Sequence, residues 1–234
     1  MSIFTNSQHL AGMIDQTLLR PDATRRETIE FVEHALPYGF VSVCILPAWV
    51  ADASDILAGS KTKVCTVVGF PHGLAAPGAK EVEAALVVAD GAHEVDMVIN
   101  FGALKSGAEL IVFEEIERVV AAASLGGAIV KVIIECAYLT DAEKQRASKL
   151  AEEAGAAFVK TSTGFAPTGA TVLDVALMRQ AVSDAVSIKA AGGIRALAFA
   201  TDLVSAGATR LGTSGGVSLI AEFGGAEANS TNSY

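Results

Sequence analysis

The chain has few cysteines, few aromatic residues, little positive charge and no long uninterrupted apolar run. Cys44, Cys65 and Cys136 are odd in number and form no C-x-x-C pair. That argues against a disulfide or zinc framework and for a reducing, cytoplasmic setting. Aromatics make up 6% of the 234 residues, so a core must come from Ala, Val, Ile and Leu. Lysine and arginine number 17 against 26 acidic residues, giving a net charge of −9. This argues against nucleic acid as a partner, because phosphate backbones need a basic face. A small phosphorylated molecule needs only a few local donors and stays open. The longest apolar runs are broken by Gly, Lys or Asp, so no membrane partner is expected. Residues 1–6 have no basic segment leading into an apolar run, so no signal peptide is expected either. Of four histidines, only His72 falls near a plausible site. A metal centre wants several converging imidazoles, so no metal is predicted.

What is present is alternation. Short β-branched runs at 12–17, 41–46, 63–70, 94–99, 130–136, 157–161, 186–190 and 209–212 are separated by Ala-rich helical patterns. Thr24-x-x-Glu27 and Thr140-x-x-Glu143 read as capping boxes, and Thr171-x-x-Asp174 as a similar start signal. Gly39, Gly91, Gly155 and Gly207 stand where helices should stop. Val82, Ala85, Leu86 and Ala89 give the third crossover helix an apolar stripe. Strict alternation implies parallel strands with right-handed crossovers. Eight units of about 29 residues make a small (β/α)8 TIM barrel. An open doubly wound sheet is the rival, but no G-x-G-x-x-G follows the first strand. One domain over residues 1–223 is expected, with a small, polar, mobile tail at 224–234.

In such a barrel, chemistry sits at the C-terminal ends of the strands. Asp15, Cys44, Asp96, Asn100, Glu135, Lys160 and Lys189 fall within or at the ends of strand candidates. A lysine in a strand buried on both faces suffers desolvation unless it pairs or loses its proton. Lys160 and Lys189 lie on neighbouring strands, and burial together with like charge favours the neutral amine, which attacks carbonyls. The plainer reading, a lysine snorkelling to the rim, suits one such residue better than two. Asp96 lies in an apolar strand, where it can pair with a core lysine and also move protons. Glu94 and Lys131 share faces with Asp96 and Glu135, but both are nearer the wrong end. Cys44 reads as a packing residue. Glycine-rich turns follow the last three strands: Thr163-Gly164, Ala191-Gly192-Gly193 and Gly212-Thr213-Ser214-Gly215. Backbone N–H groups in such turns form an anion cradle.

Five segments resemble the deoxyribose-phosphate aldolases, in order, from about residue 8 to residue 220. They are Ile14-Asp15-Gln16-Thr17-Leu18-Leu19, Val67-Val68-Gly69-Phe70-Pro71-His72-Gly73, Glu94-Val95-Asp96-Met97-Val98-Ile99-Asn100, Phe158-Val159-Lys160-Thr161-Ser162-Thr163-Gly164-Phe165 and Ile188-Lys189-Ala190-Ala191-Gly192-Gly193-Ile194-Arg195. The resemblance implies a metal-free class I aldolase with Lys160 forming a Schiff base, assisted by Lys189, and Asp96 moving protons. It further implies that Thr163, Gly164, Gly192, Gly193, Gly212, Ser214 and Gly215 hold a phosphorylated sugar. Asp15, Thr17, Cys44 and the terminal Tyr234 are accessory candidates. Short aldehydes and a homodimer or homotetramer are expected as partners, though the Ala-rich helix surfaces pick no interface. Gln16, His93, Ala191 and the turn Cys136-Ala137-Tyr138 depart from the usual family pattern. Alternatives remain: a related phosphosugar lyase or transaldolase on the same lysine, a metal-free isomerase using Asp96 and Glu135, and a non-catalytic binder.

Overall fold

A computed structural model describes residues 3–225. Eight strands are present: β1 Ile14–Leu18, β2 Ser42–Ile45, β3 Lys63–Val68, β4 Glu94–Val98, β5 Ile129–Ile133, β6 Phe158–Lys160, β7 Ser187–Ala191 and β8 Arg210–Thr213. Each pairs in parallel with the next, and β1 also pairs with β8, closing the barrel. Among the described residues ten α-helices surround it: α1 Ser7–Ala11, α2 Arg25–Ala35, α3 Val50–Ile56, α4 Ala79–Ala89, α5 Phe101–Lys105, α6 Glu109–Ser124, α7 Asp141–Glu153, α8 Val172–Ala181, α9 Leu197–Ser205 and α10 Gly216–Phe223. This is the (β/α)8 architecture expected from the alternation. No helix among the described residues is long and apolar enough to cross a membrane.

Local chemistry sets the boundaries. Thr24 and Thr140 both close capping boxes with Glu27 and Glu143, and the Thr171 hydroxyl accepts from Asp174 N–H. Each satisfies backbone donors left over in a first helical turn. Past the end of α9, Gly207 takes φ +116°, and a Cβ there would meet the Arg179 side chain at 2.8 Å. Only glycine fits such a stop. Several strands end earlier than their apolar runs: β3 ends at Val68 and β5 at Ile133. After β5 the run continues because Ile134 and Cys136 remain buried, whereas Gly69 and Phe70 after β3 are half-buried.

The main apolar core lies between strands and helices, where Val, Ile, Leu and Ala from both layers meet. The barrel interior differs. Asp15, Glu94, Asp96, Lys131 and Lys189 are buried there, where barrels ordinarily stack branched aliphatics.

One expectation is corrected. Val82, Ala85, Leu86 and Ala89 face away from the barrel, with Val82 60% and Leu86 61% exposed. The buried face of α4 is Lys80, Ala84 and Val87. Lys80 can sit inside because its ammonium donates to Val98 O and to Glu115, each at 2.7 Å. The Tyr234 candidate lies outside the described residues, as does the expected tail apart from Gly224 and Gly225.

Candidate active site

Lys160 ends β6, and Lys189 stands opposite it in the β7 register. Both ammonium groups reach the same oxygen, Oδ2 of Asp96, at 2.7 Å. Lys189 also binds Asp15. Beneath them Lys131 lies 2.8 Å from Asp96 Oδ1, 2.7 Å from Glu94 and 3.6 Å from Asp15. Arg210 closes the network on Asp15 at 2.6 Å and Glu94 at 2.8 Å. The barrel thus holds four cations, Lys131, Lys160, Lys189 and Arg210, against three carboxylates, Asp15, Glu94 and Asp96. Release of one proton from one lysine leaves the cluster neutral.

Mutual attraction decides the protonation of this cluster. Burial pushes the Asp96 carboxyl up, but Lys131, Lys160 and Lys189 outweigh it and hold Asp96 well below the usual carboxylate range. Asp15 is likewise held down, burial being outweighed by Lys189, Lys131 and Arg210. Burial pulls Lys189 down, yet Asp15 and Asp96 overcome it and raise this ammonium above its ordinary value. Of the two outcomes open to a buried lysine, Lys189 takes pairing: Asp96, expected to meet a core lysine, and Asp15 together hold its proton in place.

Of the three lysines only Lys160 lines a cavity of about 370 Å³ at the C-terminal mouth of the barrel. Thr163, Gly164, Gly192, Gly193, Gly212 and Ser214 line the same cavity, as does Thr17. The turns after β6 and β7 approach by backbone. A Cβ on Gly192, which has φ +90°, would lie 2.9 Å from Gly169 Cα. Gly212 has a second task, since its missing side chain leaves room for Lys189 Cε. Gly215 is absent from the cavity wall, and its N–H donates to Thr213 Oγ1 at 2.9 Å. Gln16 braces this turn, donating to Ser214 O at 3.1 Å and accepting from Gly216 N–H at 3.0 Å.

Asp15 lies away from the mouth as a counter-ion to Lys189 and Arg210. Cys44 pairs in register with Cys65 and packs with Leu19 and Val67. His72 is exposed and is not among the residues lining the cavity, and Asn100 caps α5 by accepting from Ala103 N–H at 2.9 Å. Sequence reasoning missed Arg210 and set Lys131 and Glu94 aside. The available signal was that ionisable residues recurred on inward-facing positions of buried strands. It also passed over Arg20 and Arg195, which line the cavity, and Phe70, whose ring meets Phe165 edge-on at 5.3 Å.

Comparison with known proteins identifies the family. The model of the DeoC/LacD family aldolases matches residues 10–225. A deoxyribose-phosphate aldolase of Geobacillus sp. (strain WCH70) is 51% identical over 212 residues, covering 91% of this chain and 95% of that protein. A solved structure described as "QR15, an Aldolase" superposes with a TM-score of 0.87 at 41% identity, covering 92% of this chain and 95% of the other. The tetrameric deoxyribose phosphate aldolase of Aeropyrum pernix gives 0.87 at 34% identity, covering 94% and 92%. The chain belongs to the DeoC/LacD family of aldolases.

Proposed function

We propose that this chain reversibly cleaves 2-deoxy-D-ribose 5-phosphate into acetaldehyde and D-glyceraldehyde 3-phosphate through a Schiff base on Lys160. The carrying observation is that Lys160 alone among the buried lysines lines the cavity while sharing one Asp96 oxygen with Lys189. The free-base form of Lys160 adds to C1 of the open-chain aldehyde, and loss of water gives an iminium ion. Removal of the C3 hydroxyl proton lets the C2–C3 bond break, its electrons moving into the iminium to give an enamine. Glyceraldehyde 3-phosphate leaves. Protonation of the enamine at C2 and hydrolysis then free acetaldehyde and the amine. Asp96, poised between the two lysines, carries protons for these steps through water, and Lys189 fixes its charge. The scheme uses no metal or organic cofactor. The glycine turns after β6 and β7, with Ser214 after β8, suit the phosphate.

Reduction with borohydride in the presence of acetaldehyde, followed by peptide mass spectrometry, tests this. An ethyl group on Lys160, absent in a folded Lys160→Leu variant, supports the scheme. An adduct on Lys189 exchanges their roles, and no adduct on folded protein removes it.

The same reading includes a cytoplasmic homo-oligomer, dimeric or tetrameric. The outward apolar stripe of α4, with Leu110 67% and Ile111 54% exposed on the neighbouring α6, supports association, because monomers rarely expose contiguous apolar surface of this kind.

A further inference from the structure

Glu135 is the single non-glycine residue with a left-handed backbone, φ 56°, among the described residues. Such conformations persist where the surroundings enforce them, and they gather at functional sites. Ile134 N–H donates to Lys160 O at 3.0 Å and Cys136 N–H to Thr161 O at 2.9 Å. The chain therefore stays beside the β6 segment on either side of Glu135 while Glu135 itself is twisted. Its side chain is buried, and its hydrogen bonds go to one residue, Thr163. Thr163 N–H donates to the two carboxylate oxygens at 3.3 and 3.2 Å, and the Thr163 hydroxyl donates to Oε2. In turn Thr163 Oγ1 accepts from Phe165 N–H at 3.0 Å. Burial pushes the Glu135 carboxyl up, and the Thr163 hydrogen bonds with the charge of Lys160 draw it back down.

The consequence is directional. A hydroxyl has one proton and two lone pairs. With its proton on Glu135 and one lone pair on Phe165 N–H, Thr163 keeps only acceptor capacity toward the cavity that it lines. A substrate group meeting it must donate, as a sugar hydroxyl does and a phosphate dianion does not.

We propose that Glu135 is a positioning residue: through Thr163 it sets the 163–165 turn so that the threonine oxygen accepts from the substrate hydroxyl between the reacting carbons and the phosphate. This rests on the aldolase reading above. Glu135 touches no reacting atom and acts on the grip of the sugar chain, not on the imine.

Three variants test it. Glu135→Gln keeps volume and one acceptor but loses charge. Glu135→Gly relaxes the backbone and removes the carboxylate. Thr163→Val removes the hydroxyl with Glu135 intact. The KM for deoxyribose 5-phosphate should rise roughly 3- to 10-fold in each, the range of a hydrogen bond between neutral groups, with kcat changed much less. Borohydride trapping of acetaldehyde on Lys160 should change far less than KM, since acetaldehyde has no hydroxyl to present. The Glu135→Gln, Thr163→Val double variant should be no worse than the worse single one. An unchanged KM in Glu135→Gln overturns the proposal, as does an equal loss of trapping, which would place the action of Glu135 on Lys160. If that variant does not fold, an unchanged KM in Thr163→Val overturns it. Failure of the unaltered protein to cleave the sugar phosphate or to trap acetaldehyde would instead strike the aldolase reading.

Discussion

Lys160 and Lys189 face each other across the β6–β7 register and converge on a single oxygen of Asp96. Two lysines on one carboxylate oxygen compete for the same negative charge. Replacing Lys189 with Leu should cut turnover by about 10²–10⁴-fold, the scale of a lost proton-transfer partner. It should also displace the pH–rate profile. A profile that overlays the unaltered enzyme would refute the coupling.

Lys131 lies below the chemistry and touches three carboxylates. Lys131→Met should therefore destabilise the fold by about 3–5 kcal/mol, because it strands buried negative charge. Chemical denaturation measures this directly. A loss under about 1 kcal/mol, the scale of an exposed ion pair, would mean that water enters the barrel and solvates the acids.

Stability should fall at both extremes of pH. Asp15 and Asp96 are held below their unfolded values by the lysines. Their contribution is complete above about pH 4 and is lost as pH falls through the folded values. Lys131 and Lys189 are raised by those acids. Their contribution is complete below about pH 10 and is lost as pH rises through the folded values. Melting temperature against pH should show a plateau between these limits. Asp96→Asn should flatten the acid side, and an acid limb that survives unaltered would assign it elsewhere.

Gly192 needs φ +90° and lies against Gly169. Gly192→Ala should raise KM for the phosphorylated sugar about 10-fold or more, from 1–3 kcal/mol of backbone strain. Activity on unphosphorylated deoxyribose should change less. Equal losses on both substrates would remove the phosphate assignment of this turn.

Leu86→Arg on the exposed face of α4 should lower the association state in sedimentation experiments without unfolding the barrel. A monomeric unaltered protein would dismiss the oligomer itself. An oligomer indifferent to the substitution would move the interface to another face.

Strand number and order were legible because apolar β-branched runs alternate with capped helices. Lys160 and Lys189 stood out as cations in apolar surroundings. Lys131 was set aside as lying at the wrong end of its strand, yet it stands at the midpoint of β5, in register with Asp96 and 2.8 Å from its carboxylate. The register between strands, which no single run of sequence displays, decides which ionisable groups meet. On α4, two stripes have helical spacing, Val82–Leu86–Ala89 and Lys80–Ala84–Val87. Periodicity cannot rank them when both are rich in small apolar residues. Acceptors from Val98 and Glu115, distant in sequence, bring the lysine inside. Glu135 is held the same way, by Thr163 in the turn after the next strand.

The closure of β1 against β8 joins Asp15 to Arg210 across 195 positions of chain. During synthesis β8 leaves the ribosome after the other seven strands have emerged. Until then Asp15 and Glu94 lack the guanidinium that they share, and β1 lacks a neighbour on one side. The working site is therefore among the last things the growing chain can assemble, and a truncated product lacking β8 has an open, incomplete barrel in place of a weakened enzyme.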